Sequence, residues 1–453
     1  MNLTIPNFDT WLLAQCHREE GTGILARCWF ENQMADRSLN FNLWLTEREA
    51  GGILKVEILA AKAEYKNDCE SLRAGKHATF YSSLFVRENP ELSSAKQDWH
   101  SQHPEISADQ HLRFKHLLLL RQLETKLLVY LDKCHWIGLR HVVLKTKFAR
   151  KEYEMLLRLL RELKDAQLIL CPTSFPLFTE LMKQSDDQTR LATAYLMDEL
   201  GDGICLPAGP VIQENEVRQH ILKSWFGSGG PDAKEWLWTK ACWILGALIP
   251  HNPAFSPEEN TWIQKSFIDH VWESRLGDLV ERLDQNRWQG MDYPLFASAH
   301  NLDGVFYRKR QFIFKDILIH EKGKLLMDLA QGALPKVAAE LAKEYPDKVT
   351  GTLNNSEKLQ APDPWIVPSM QIVAGIRASF FSAGQWLKAN DLVDAEHASV
   401  ALPYCDVFAC DKPLAHHLRG KALKYDEIYQ TKVVATASDL IQALKEKTSH
   451  PPS

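Results

Sequence analysis

Leu127-Leu128-Val129-Tyr130-Leu131-Asp132 is an apolar run that stops on a carboxylate, and Val407-Phe408-Ala409-Cys410-Asp411 does the same. Each reads as a buried strand with an acid at its C-terminal end. In an open α/β sheet that edge is where ligands bind. Two acids meeting there point to a hard metal cation and phosphate chemistry.

Outward from the first strand, the pattern alternates. Glu152–Leu163 spaces its leucines as an amphipathic helix does. Gln167–Cys171 predicts a second buried strand, and Pro176–Lys183 a helix with Pro in its first turn. Thr189–Leu200 predicts another helix, ended by Gly201. The alternation resumes with helix Leu392–Pro403, strand Val407–Cys410, helix Leu414–Leu418, strand Lys432–Ala435 and helix Ser438–Leu444. Strands alternating with helices imply an α/β fold: a parallel sheet covered by helices.

Between these blocks, residues 216–389 read as a mainly helical insertion rich in Trp. Its expected amphipathic segments are Ala233–Leu248, Trp262–Leu283 and Gly323–Glu344. Residues 1–120 form an N-terminal region of mixed character, with apolar runs at Gly52–Ala61 and Ala78–Val86 and a leucine stripe over His111–Leu128. Residues 121–215 and 390–447 form the sheet domain, and residues 448–453 a short tail.

Composition narrows the function classes. The 453 residues are 45% hydrophobic and 25% charged, with net charge −5. This is the profile of an ordinary globular protein, without a basic field over the whole molecule. Nine cysteines, none in a CxxC pair, argue against a disulfide framework or a zinc finger and fit a reducing cytoplasm. The N-terminus does not read as a signal peptide, and the apolar runs are too short to span a bilayer, so no membrane association is expected. P-loop, GxGxxG, HExxH and GxSxG motifs are all lacking.

Strand polarity sorts the acids. Asp132 and Asp411 end strands. A helix starting at Asp394 and feeding the second of these strands runs antiparallel to it, which brings Asp394 to the same edge, where it would cap free N–H groups. Glu180 lies about one turn inside the helix after Cys171 and also approaches this edge. Asp406 precedes its strand, about 16 Å away at about 3.3 Å per residue, and is assigned to the far edge. Four gathered carboxylates call for a counter-charge, and Mg²⁺ or Mn²⁺ with oxygen ligands is the usual one.

These segments resemble the PIN domain, the nuclease fold of toxin–antitoxin ribonucleases and RNA-processing enzymes. The resemblance is carried by Val129–Asp132, Pro172–Phe175 through Glu180, Asn390–Ala398 and Leu402–Asp411, within about a third of the chain. In that family an acid after the first strand, a Glu on an early helix, an Asp opening a late helix and an Asp after the fourth strand hold the metal. They map in order onto Asp132, Glu180, Asp394 and Asp411. The resemblance implies a PIN-like, three-layer domain and a Mg²⁺- or Mn²⁺-dependent endonuclease acting on RNA, in a toxin or defence setting. Two departures stand out. Ala409 and Cys410 occupy positions where a hydroxyl is usual before Asp411, and Lys133 and Cys134 follow Asp132 where small polar residues are common.

Several neighbours are candidates for contact with substrate. Lys133 could reach phosphate, or pair with Asp132 and compete with a metal. His397 lies at i+3 from Asp394 on one helix face. A packed or capping histidine is its ordinary reading, and binding substrate or orienting an acid its functional one. Lys412 and His416 follow Asp411, in a stretch with Arg419 and Lys421 that suits a phosphate backbone as well as a solvated helix face. Glu214 and Glu216 border the insertion and could extend the acidic cleft. The tryptophans read first as core and second as stacking platforms for single-stranded bases. The competing hypothesis is a non-catalytic PIN-like scaffold whose Trp-rich insertion binds RNA or a protein partner. The insertion and residues 1–120 would set substrate choice or assembly with a partner or a second copy.

Overall fold

Leu127–Leu131 forms strand β1, and all five residues are buried. Burial on both faces is what a continuous apolar strand in a parallel sheet requires. The computed structural model describes residue 62 and residues 99–227, 237–244, 249–283, 293–348 and 367–449. The expected segments Gly52–Ala61 and Ala78–Val86, the end of the tail, and Trp236 and Trp288 lie outside the described residues.

In chain order, helix α1 (Ala108–Leu123) precedes β1, and α2 (Lys133–Val143) and α3 (Lys151–Asp165) lead to β2 (Ile169–Leu170). Strand β3 (Thr173–Ser174), α4 (Phe175–Met182), α5 (Asp187–Gly201), β4 (Ile204–Leu206), α6 (Gly209–Phe226) and β5 (Thr239–Lys240) follow. Next come α7 (Pro257–Glu273), α8 (Leu276–Arg282), α9 (Tyr293–Lys309), α10 (Phe314–Gln331), α11 (Ala333–Glu344), α12 (Pro368–Ser382) and α13 (Ala389–Ala401). Strand β6 (Val407–Ala409), α14 (Lys412–Arg419), α15 (Tyr425–Tyr429), β7 (Lys432–Val434) and α16 (Ala437–Ser449) close the described chain.

The chain divides into two compact units. The larger comprises Ser107–Leu248, Val271–Arg282 and Asp292–Ser453 and contains every strand described. Its main sheet is parallel, in the order β2-β1-β6-β7. From β1 the chain crosses outward to β2, and from β6 it crosses outward in the other direction to β7. Crossovers of this kind are right-handed, so the two lie on opposite faces. The central pair β1 and β6 is therefore the switch point, where a crevice opens at the C-terminal ends of the strands.

Helices cover the sheet by apolar stripes. In α3 the buried residues are Tyr153, Leu156, Leu157 and Leu160, spaced i, i+3, i+4, i+7. Each such burial contributes roughly 1.5–3 kcal/mol. A second, smaller sheet has the order β3-β4-β5, with β5 antiparallel.

Most of α7 belongs to the smaller unit, whereas α8 to α12 belong to the larger one. Val217, Ile221 and Leu222 of α6 share a core with Leu329, Val337, Leu341, Val367 and Met370. Tyr293, Ala297, Tyr307 and Ile317 share another with Phe381 and with Leu392 and Val393 of α13. Helices outside the sheet thus hold α13, which carries two of the predicted site residues.

Three expected helices differ. Within Ala233–Leu248, residues Thr239–Lys240 form a strand that pairs with β4, followed by a 3-10 turn at Ala241–Trp243. Pairing with a strand far away in sequence overrides the local helical spacing. Trp262–Leu283 is broken at Ser274–Arg275, where the Asp198 carboxylate accepts from the backbone N–H groups of Leu276 (2.9 Å) and Gly277 (2.7 Å) and starts a new helix. Gly323–Glu344 is interrupted at Gly332, whose φ −108° and ψ −93° are not helical.

Candidate metal centre

Asp132 and Asp411 are both helix N-caps just beyond the C-terminal ends of paired strands, one residue after β1 and two after β6. β1 and β6 pair Leu131 with Ala409, and the N–H of Asp132 donates to the carbonyl of Ala409 at 2.8 Å. Asp132 Oδ1 accepts from the N–H of Lys133 at 2.6 Å, and Asp411 Oδ1 accepts from that of Leu414 at 2.8 Å. Their backbones are nearly the same, with φ, ψ of −68°, 159° and −71°, 163°. The strand-to-helix turn therefore aims both carboxylates across the switch point. Asp406 lies at the other edge, where its Oδ2 accepts from the N–H of Leu128 at 2.7 Å.

Asp394 reaches the site by a different route from the one expected. Helix α13 starts at Ala389, not at Asp394, and the N-terminal capping role falls to Asp391, which accepts from the N–H of Lys388 at 2.6 Å. Asp394 sits in the second turn, where backbone N–H groups are already used by the helix. Burial first, then the charges of Asp132 and Asp411, push its carboxyl up to about 7. That like-charge effect ties Asp394 to both strand-end aspartates.

Glu180 lies on α4, whose start is fixed by Ser174: its Oγ accepts from the N–H of Leu177 at 3.4 Å, and Pro176 fills the first turn. His397, 1% exposed, meets it. His397 Nε2 lies 2.9 Å from Glu180 Oε2 and 3.8 Å from Asp132 Oδ1. On the other side of the ring, Nδ1 lies 2.7 Å from the Tyr130 hydroxyl, which is 2.5 Å from Ser174 Oγ. Burial works against a charged His397. The hydrogen bond to Glu180 and the charges of Asp132, Glu180 and Asp394 outweigh it and hold the imidazole above its ordinary range. Burial likewise works against the Glu180 carboxylate, but His397 and Lys133 outweigh it and hold it below its ordinary range.

Of the predicted residues, Asp132, Glu180 and His397 offer donor atoms that all lie within 4.8 Å of one another. Asp394 and Asp411 adjoin them electrostatically. Lys133 pairs with Glu180, Nζ to Oε1 at 3.2 Å, rather than with Asp132. Its helix begins at once after Asp132, and this projects the long side chain toward α4. Lys412 and His416 are exposed on α14 and belong to the rim. His417 stacks on Phe380, with ring centroids 4.6 Å apart. Glu214 pairs with Lys336, and Glu216 is bound by Ser369 and Tyr404, so neither extends this acidic cluster. Trp238 and Trp272 are buried, in keeping with their reading as core.

Sequence reasoning missed Tyr130 and Ser174. Both are buried at the boundary between strand and site: the Tyr130 hydroxyl meets His397 across 267 residues of chain, and Ser174 Oγ meets that hydroxyl across 44. A hydroxyl at the fourth position of an otherwise apolar strand was the available signal. Cys134 is exposed at the surface, while desolvation around its sulfur first, then Asp132, raise its thiol above the ordinary range.

Four carboxylates and the His397 imidazole thus gather, with Lys133 and Lys183 as the lysines near Glu180. That oxygen-rich, electron-rich donor set fits a divalent metal ion. No protein-family model, curated protein or solved structure matches the chain.

Proposed function

We propose that this chain is a metal-dependent phosphodiesterase of the PIN-like type, an endonuclease whose substrate is single-stranded RNA. The observation that carries the reading is the gathering of Asp132, Glu180 and His397 donor atoms within 4.8 Å of one another, with Asp394 beside them. A carboxyl raised to about 7 by burial and by two aspartates is a group that a cation would relieve. The order of the four acids along the chain and their edge of the parallel sheet support the PIN-like assignment.

Asp132, Glu180, Asp394 and Asp411 would hold Mg²⁺ or Mn²⁺. Such an ion, when bound, stabilises charge developing on the phosphoryl group and acidifies a water. The side chains of the protein do the rest. Ser174 and Tyr130 orient His397, and His397 fixes Glu180. Lys133 keeps Glu180 ionised and sets an ammonium at the mouth of the site, where it can meet a phosphate. Lys412 and His416, exposed on the helix that Asp411 caps, extend that contact along the nucleic-acid backbone.

The test is cleavage of end-labelled single-stranded RNA and DNA by the full chain with Mn²⁺, compared with Asp132→Asn and Asp411→Asn. Loss of RNA cleavage in both variants, with circular dichroism unchanged, is the expected result. Undiminished cleavage by Asp132→Asn overturns the assignment. One observation favours the scaffold reading: Lys133 and His397 already neutralise Glu180 without a metal. Calorimetric titration with Mn²⁺ separates the two, because a scaffold gives no heat that depends on the four acids.

A further inference from the structure

His397 does more than its charge requires. Lys133 already supplies a counter-charge to Glu180 at 3.2 Å, yet a buried imidazole is held against the same carboxylate. Its spacing is that of a hydrogen bond and also that of two ligands on one ion. Two groups at right angles on an octahedral ion, each roughly 2.1 Å from it, lie roughly 3.0 Å apart. His397 Nε2 and Glu180 Oε2 are 2.9 Å apart, and Asp132 Oδ1 is 3.8 Å from the same nitrogen.

The ring is also prepared on its far side. Nδ1 meets the hydroxyl of Tyr130 at 2.7 Å, and this hydroxyl is anchored 2.5 Å from Ser174 Oγ. Tyr130 and Ser174 are both fully buried. Histidines that ligate metals have the second nitrogen held by a partner of this kind, which fixes tautomer and ring plane. Without a cation, Nε2–H donates to the Glu180 carboxylate; a bound cation would take the place of that proton, while Nδ1–H donates to the Tyr130 oxygen.

We propose that His397 is a nitrogen ligand of the bound cation, and that the site is selective for a first-row transition-metal dication over Mg²⁺. This rests on the metal-site reading above and narrows its cofactor. A mixed imidazole and carboxylate set suits such ions, whereas Mg²⁺ is served by oxygen and water.

The test uses Mn²⁺ itself as probe, on the full chain without nucleic acid. Pulsed electron paramagnetic resonance reads whether a ¹⁴N nucleus is bonded to the bound Mn²⁺. The expected result is a directly bonded ¹⁴N in the wild type, absent in His397→Gln, with Mn²⁺ affinity about 10–100-fold weaker in that variant. Mg²⁺ should displace Mn²⁺ from the wild type only in large excess, and more readily from His397→Gln. Tyr130→Phe should keep the ¹⁴N signal while weakening Mn²⁺ binding. Mn²⁺ bound without ¹⁴N coupling, and lost in Asp132→Asn, overturns the ligand role and leaves the phosphodiesterase reading standing. No Mn²⁺ bound by the wild type overturns both.

Discussion

Asp394→Asn tests the electrostatics of the site without any substrate. The carboxyl is raised from 3.8 to about 7 by burial and by Asp132 and Asp411. At about 1.36 kcal/mol per unit, an ionised Asp394 costs the metal-free fold about 4 kcal/mol. Solvent reaches part of this side chain and screens it, so a working figure is about 2–4 kcal/mol. The folded carboxyl keeps its proton to about pH 7, while the unfolded one releases it near 3.8. The folded state therefore binds more protons in that window, and stability falls as pH rises through it and is flat above. Asparagine carries no such penalty. In EDTA, the variant should gain on the wild type by about 2 kcal/mol between pH 5 and pH 8. Urea denaturation followed by tryptophan fluorescence at the two pH values reads the difference. Added Mn²⁺ should reverse the order at pH 8 by stabilising the wild type. A variant whose advantage does not grow with pH would refute the placement of Asp394 against the two strand-end aspartates.

Tyr130→Phe strands the polar tips of Ser174 and His397 in a buried site; about 1–3 kcal/mol of stability should be lost, read by the same denaturation. Glu216 is raised to about 7, chiefly by burial, although Ser369 and Tyr404 bind its carboxylate. Glu216→Gln should therefore narrow the fall in stability between about pH 4.5 and 7, and an unchanged pH profile would count against it. A Cβ at Gly201 would meet the backbone carbonyl of Cys171, which cannot swing aside. Gly201→Ala should cost about 1–3 kcal/mol, with a lowered urea midpoint as readout.

Part of this architecture was open to reading from single residues. The apolar runs at 127–131 and 407–409 are strands because both faces of each are buried in the parallel sheet, although the expected strand reached Cys410. Strand polarity then separated Asp411 from Asp406 correctly, since a strand has a direction that its sequence order reveals. The two-residue strands β3 and β5 were not legible, because so short a segment has no period. Asp394, read as opening its helix, lies instead in the second turn of α13, and Asp391 in the first turn reaches back to the N–H of Lys388; Leu392 and Val393 between them pack into a core built by distant helices.

The sequence by itself determined the parallel sheet, the edge on which its acids stand and the candidacy of Asp132, Glu180, Asp394 and Asp411. These follow from local hydrophobicity, strand direction and chain order. Only the tertiary structure decided what those acids touch. Lys133 turns to Glu180 rather than to its own neighbour, and His397 crosses 217 residues of chain to the same carboxylate. Such contacts depend on how α4 and α13 dock against the sheet, and docking is set by the summed packing of distant helices. No window of local sequence contains that sum.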